Sequence, residues 1–229
     1  MKMGQTSRRN GVQDILCPFT NLYITQGSGY ADGSYSHKGT RAIDVVNGDG
    51  SRAPYYAPFD CKAVMVLPDY GEALWQSLEK VRFADGTIDY CTFVTVHDNT
   101  INYVVGYIAK QGEQIGNMGD QGNATGIHCH IEFSKGINNM IQNQYGVWGV
   151  NNAVEFEEAC FMDDTNILSG VANWKYLKDV QVDTIESLRE EKEKYKELYE
   201  KEMLKSKDLQ AQLDLSNSKI NKAIKELSK

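Results

Sequence analysis

Positive charge is what this chain most plainly lacks. Its 24 lysines and arginines are outnumbered by 31 aspartates and glutamates, a net charge of −7. A phosphate backbone would find no electrostatic footing, so no nucleic-acid partner is expected. Long apolar runs are missing too: none approaches the roughly 20 residues needed to span a bilayer, so no membrane insertion is expected. The opening MKMGQTSRRN has no apolar stretch behind its positive charges and does not read as a secretory signal. Its glycine is not at the second position that myristoylation requires. The five cysteines, Cys17, Cys61, Cys91, Cys129 and Cys160, are odd in number and have no C-x-x-C spacing. They are expected as small buried hydrophobes of a chain kept reduced.

Two chemical signatures are also absent. No serine sits in a G-x-S-x-G elbow. The glycine-rich run from Gly116 to Gly126 is not followed by G-K-[ST], so it is not a phosphate loop. Turns feeding the next strand, with Asn123 or Thr125 lining a cleft, account for it more simply.

What is present divides in two. Up to about Trp174, short β-branched and aromatic runs alternate with Gly, Asn and Asp clusters. This predicts strands over 42–46, 61–67, 80–83, 90–96, 103–108 and 128–133, with a hairpin turn at Asp85-Gly86. Regular short strands favour a mainly β fold, an antiparallel sheet or open barrel, over a βαβ arrangement. From Asp183 onward the pattern is helical. Taking Ile185 as the start of a heptad, nine of thirteen seam positions are apolar or aromatic, and no Gly or Pro interrupts. The expected organisation is a domain over 1–177, a linker over 178–182 and a C-terminal α-helical coiled coil over 183–229. The coil is electrically neutral, with 11 acidic and 11 basic residues, so the whole net charge belongs to the first 182 residues. A solvated single helix is the plainer reading of the same tail.

The chain has only four histidines: His37, His97, His128 and His130. His128 and His130 flank Cys129 on a predicted strand, so both imidazoles face one side and the thiol the other. His37 lies in a glycine-containing loop, and Asp44 enters the apolar strand that follows. A buried carboxylate is costly unless paired or bound to a cation. His97 ends an apolar strand just before a loop, where reactive groups are commonly mounted. Each has an ordinary reading: surface histidines for His128 and His130, a turn cap or a partner of Arg41 for Asp44, a sheet-edge ring for His97. Jointly they close a chemistry. A histidine, a carboxylate and a second histidine make the three-ligand set of catalytic zinc, and two histidines remain to handle protons and developing charge.

The sequence resembles the lysostaphin/LytM-type zinc endopeptidases, in particular the peptidase domains of phage endolysins and virion-associated lysins. The resemblance rests on Tyr35-Ser-His-Lys-Gly with Ala42-Ile-Asp44, on Thr92-Phe-Val-Thr-Val-His97-Asp-Asn, on Gln111-Gly-Glu-Gln-Ile-Gly116 and on Ala124-Thr-Gly-Ile-His-Cys-His-Ile-Glu132. It runs from about Cys17 to Phe161 and the residues just after it. It implies that His37, Asp44 and His130 ligate Zn2+, and that His128 acts as base or oxyanion stabiliser with His97 as its partner. The substrate would be the peptide part of bacterial peptidoglycan. The protein would stay in the host cytoplasm until lysis or travel in the virion, and residues 183–229 would self-associate or dock on another phage protein. One departure stands out. Asp44 follows His37 by seven residues where the family's shortest form has four, so the loop over 38–41 must bulge. Two other readings compete: a cupin-like metalloenzyme, whose glutamate ligand lies further along than Glu132, and a catalytically inactive phage structural or tail protein.

Overall fold

The structure is a computed structural model that describes residues 1–29, 36–162 and 165–167, together with scattered positions from 195 to 227. The chain forms two compact units, Met1–Lys178 and Asp179–Lys229. Nine strands of the first unit make one sheet: β1 (Asn21–Gln26), β2 (Ile43–Val46), β3 (Cys61–Leu67), β4 (Glu72–Ser77), β5 (Cys91–Val96), β6 (Ile108–Ala109), β7 (Cys129–Lys135), β8 (Ala153–Val154) and β9 (Asn166–Ile167). The spatial order is β6-β3-β4-β5-β7-β2-β1-β9, with β8 beside β7. Every pairing is antiparallel except β9 on β1. The unit is therefore mainly β and antiparallel.

The period-two alternation of side chains divides this sheet into two working faces. Cys129, Ile131 and Phe133 of β7 point into the main core beside Ile43 and Val45. There Trp75 and Phe133 stack on either side of Phe93, with ring centroids 6.0 Å and 5.3 Å away. Aromatic rings of this size carry much of a core's burial energy. The intervening residues, His130, Glu132 and Ser134, face the other way. On that face Leu74, Val94 and Val150 form a smaller apolar cluster. All five cysteines are buried as free thiols.

The expected strand over 103–108 shortens to its last residue, paired in Ile108–Ala109. Tyr107 N–H bonds back to the Val104 carbonyl (3.0 Å), and Gly106 takes a φ of 93° that favours glycine. The turn carries Tyr103 and Tyr107 onto Trp75, with centroids 5.0 Å and 6.4 Å away. Aromatic packing thus overrides strand propensity. The Asp85-Gly86 turn joins two short strands, Val81–Arg82 and Ile88–Asp89.

The proposed linker over 178–182, and the tail as far as 194, lie outside the described residues. From Tyr195 to Leu227 the described positions are helical and exposed. They include the seam residues Tyr195, Tyr199, Leu209, Leu213, Ile220 and Leu227, each more than half exposed. No helix among the described residues is long and apolar enough to cross a membrane.

Candidate metal centre

Sheet register builds the floor of the site. Val96 pairs with His130, His130 with Asp44, and Asp44 with Gln26, so three strand crossings set these four side chains in one row. The row lies in a cleft of about 800 Å³ that His37, His97 and His128 also line.

His37 reaches the row from the preceding loop. Its carbonyl accepts both the N–H and the Oγ1 hydroxyl of Thr40, each at 2.9 Å, which closes a tight turn. Gly39 sits inside that turn at φ 77°. This is the bulge that the seven-residue spacing requires. Gly29 lies against it so closely that a Cβ there would stand 1.7 Å from the His37 carbonyl oxygen. Glu132 holds the other end. Its carboxylate accepts the Arg41 N–H at 2.5 Å and the Val150 N–H at 2.6 Å. Arg41 itself pairs with Glu155, leaving Asp44 to the histidines.

Ring nitrogens are assigned by their partners. His37 Nδ1 lies 2.8 Å from the Gly27 carbonyl, His97 Nδ1 2.8 Å from that of Gln121, and His128 Nδ1 2.8 Å from that of Gly126. A carbonyl only accepts, so each Nδ1 carries the proton and each Nε2 keeps a lone pair. His37 Nε2 lies 3.2 Å from Asp44 Oδ1. His130 presents its other nitrogen, with Nδ1 at 3.0 Å from the same oxygen. His37, Asp44 and His130 place their donor atoms within 4.8 Å of one another. Ligands held about 2.0–2.1 Å from a tetrahedral zinc stand roughly 3.3 Å apart, so the observed separations fit such an ion. The fit is of spacing and of donor chemistry.

His128 and His97 stand beside this trio. Their rings are 4.4 Å apart, and His128 Nε2 is 3.7 Å from Asp44 Oδ1. His128 is fixed by reciprocal backbone bonds of 2.9 Å with Gly119. A Cβ at Gly119 would lie 2.1 Å from the His97 carbonyl oxygen, so this glycine lets the two histidine segments approach. His97 has a φ of 78°, rare for a side-chain-bearing residue and costing about 1–3 kcal/mol. Burial pushes the Asp44 carboxyl up, but hydrogen bonds and charge from His130 and His37 outweigh it and hold it well below the usual carboxylate range. Burial, joined by the nearby His128 and His130 and opposed by the bond to Gln121, lowers His97 to about 4.

The structure thus brings together all five residues singled out in the sequence, and the cleft also includes Asn123 and Thr125. Glu132 and Glu72 were not anticipated as parts of the site. Glu132 stood inside a quoted motif, but which backbone amides it would meet depends on segments distant in sequence. Tyr35 lies outside the described residues.

No protein-family model matches the sequence. The chain is 41% identical over 138 residues to Morphogenesis protein 1 of Bacillus phage B103, covering 60% of this chain and 35% of that one. It therefore spans about a third of that relative's length. Among solved structures it is similar to a zinc-containing peptidase from Vibrio cholerae, with a TM-score of 0.40, 20% identity, and coverage of 64% of this chain and 39% of the other. It is also similar to a mutant catalytic domain of the prophage-encoded M23 protein EnpA from Enterococcus faecalis, with a TM-score of 0.39, 17% identity, and coverage of 61% and 92%.

Proposed function

We propose that this chain is a zinc-dependent endopeptidase that hydrolyses peptide bonds of bacterial peptidoglycan and is encoded by a bacteriophage. The observation that carries the reading is the constellation itself. Donor atoms of His37, Asp44 and His130 converge within 4.8 Å of one another, and two further imidazoles stand beside them in the cleft. Bound there, zinc would supply Lewis acidity, polarising a carbonyl and bringing the pKa of water down to about 7.

The protein's own groups do the rest. His37 is held in the ligating tautomer by the Gly27 carbonyl, and the register of β7 on β2 sets His130 beside Asp44. His97 and His128 each turn a basic Nε2 toward the cleft while the Nδ1 proton is committed to the backbone. His97, lowered to about 4, is neutral at pH 7, and the Nε2 lone pair left by its bond to Gln121 is placed to take a proton from attacking water and return it to the leaving amine. His128, beside Asp44, is placed to donate a hydrogen bond to a developing oxyanion once protonated. No covalent intermediate is required. Cys129, the one thiol near the row, is buried on the opposite face with its pKa pushed well up, foremost by burial.

The phage assignment is supported by the likeness to a phage B103 protein. That protein's name, Morphogenesis protein 1, favours a virion component over a free lysis enzyme. It also keeps a second reading in play, an inactive structural protein. The exposed apolar seam of the tail belongs to this assignment as the surface for self-pairing or for another phage protein. One experiment separates the readings: metal analysis of the purified chain, together with turbidity and mass analysis of bacterial walls incubated with it. The expected result is about one zinc per chain, lost in His130→Ala, and newly released wall peptides. Walls left intact by a fully zinc-loaded chain would establish the structural reading.

A further inference from the structure

The row across the cleft floor does not end at Val96. Thr95 pairs with Ala73, which sets Glu72 level with Val96 on the next strand, and Glu72 pairs in turn with Leu67. Leu67, Glu72, Val96, His130, Asp44 and Gln26 thus form one line over six strands, and all six line the cleft. Glu72 is two strand spacings, roughly 10 Å, from His130.

Three features distinguish it. Apart from Asp44 it is the only acidic residue lining the cleft among the described residues, and no lysine or arginine lines the cleft with it. No hydrogen bond or ion pair within the described residues engages its carboxylate. Its surroundings on the wall are apolar: Met65, Leu67, Val96 and Tyr70. A carboxylate without a partner among the described residues, at the end of an apolar wall, matches an alkyl stem that carries a cation at its tip, the shape of an aliphatic amine.

We propose that Glu72 is a specificity-determining residue that receives the protonated primary amine of a long aliphatic side chain, carried by the substrate residue next to the cleaved bond. This rests on the endopeptidase reading for the position of the bond, but amine recognition can be tested apart from cleavage. Burial raises the Glu72 carboxyl, as expected of an anion awaiting a counter-charge, and His130 opposes the rise only in part. An ammonium docked on it would supply that charge.

The test uses soluble wall peptides in three forms: amines free, amines reductively dimethylated so that the charge is kept, and amines acetylated so that it is lost. Binding is measured by calorimetry on the zinc-loaded His128→Ala chain, with and without Glu72→Gln, and cleavage on the wild type and Glu72→Gln. Free and dimethylated peptides should bind about 10–100-fold more tightly than acetylated ones, the range for a charge-assisted hydrogen bond. Glu72→Gln should erase that difference, and Glu72→Asp should keep part of it. Equal affinity for all three forms, a preference that survives Glu72→Gln, or no binding of any form would each overturn the proposal. Cleavage without amine preference would sink Glu72's role and leave the endopeptidase reading standing. Amine preference lost in Glu72→Gln, with no cleavage by the wild type, would do the reverse.

Discussion

Replacing Glu132 with alanine tests how the loop between two proposed ligands is held. The carboxylate accepts the Arg41 N–H at 2.5 Å and the buried Val150 N–H at 2.6 Å, tying the His37–Asp44 loop and the strand Trp148–Val150 to β7. A hydrogen bond to a charged group contributes about 1.5–3 kcal/mol, and an orphaned buried donor costs about 1–3 kcal/mol. Part of this is offset, because burial raises the Glu132 carboxyl and removing it relieves a desolvated charge. The net expectation is a loss of about 3 kcal/mol. For a unit of this size each kcal/mol moves Tm by about 2–4 °C, so the melt should fall by roughly 6–12 °C. Melts should be run in chelator, so that metal linkage does not contribute. Zinc affinity, measured by dye competition, should fall about 10–100-fold, the usual consequence of losing an outer hydrogen bond that orients ligands. Glu132→Gln should fall between wild type and Glu132→Ala, since its carbonyl can serve one N–H while its NH2 group opposes the other. A Glu132→Ala chain that melts within 2 °C of wild type and binds zinc equally well would refute the tethering argument.

His128→Ala and His97→Ala should retain stoichiometric zinc and a native melt while losing about 10²–10⁴ in wall-peptide cleavage, read by chromatography of products. Gly29→Ala should weaken zinc binding without touching a ligand, because its methyl group would displace the His37 carbonyl, 1.7 Å away, and the turn with it; unchanged affinity would contradict this. In the zinc-free protein, stability should rise with pH between about 4 and 6.5. His97 titrates at about 4 when folded against an ordinary 6.5, so the unfolded chain binds the extra proton in that window. Chemical denaturation of wild type and His97→Asn at pH 4.5 and 7 reads the difference, which should shrink in the variant. Removing 183–229 should leave zinc binding and cleavage of soluble peptides intact and convert any oligomer to monomer in light scattering. A full-length chain already monomeric at tens of micromolar would restrict the tail to a spacer or a docking element.

Much of this protein follows from local pattern. Alternation along Ile127-His-Cys-His-Ile-Glu-Phe133 is enough to send Cys129, Ile131 and Phe133 into the core and leave His128 and His130 to the opposite side, because successive side chains of any strand point to opposite faces. The same reasoning locates β3 to the residue and β5 and β7 nearly so. It fails at 103–108, where Trp75, about thirty residues away in sequence but in contact in space, draws two tyrosines out of the extended form. Register belongs to the tertiary structure. That Val96, His130, Asp44 and Gln26 share a row, and that Glu72 extends it, depends on pairing among strands whose sequence separation no local periodicity encodes. So does the choice of ring nitrogen. The carbonyls of Gly27, Gln121 and Gly126 set which lone pair each imidazole offers, and a carbonyl's position in space is a property of the folded backbone. The four histidines and Asp44 were legible as a kit of parts; the fold alone determines which atoms of that kit face one another.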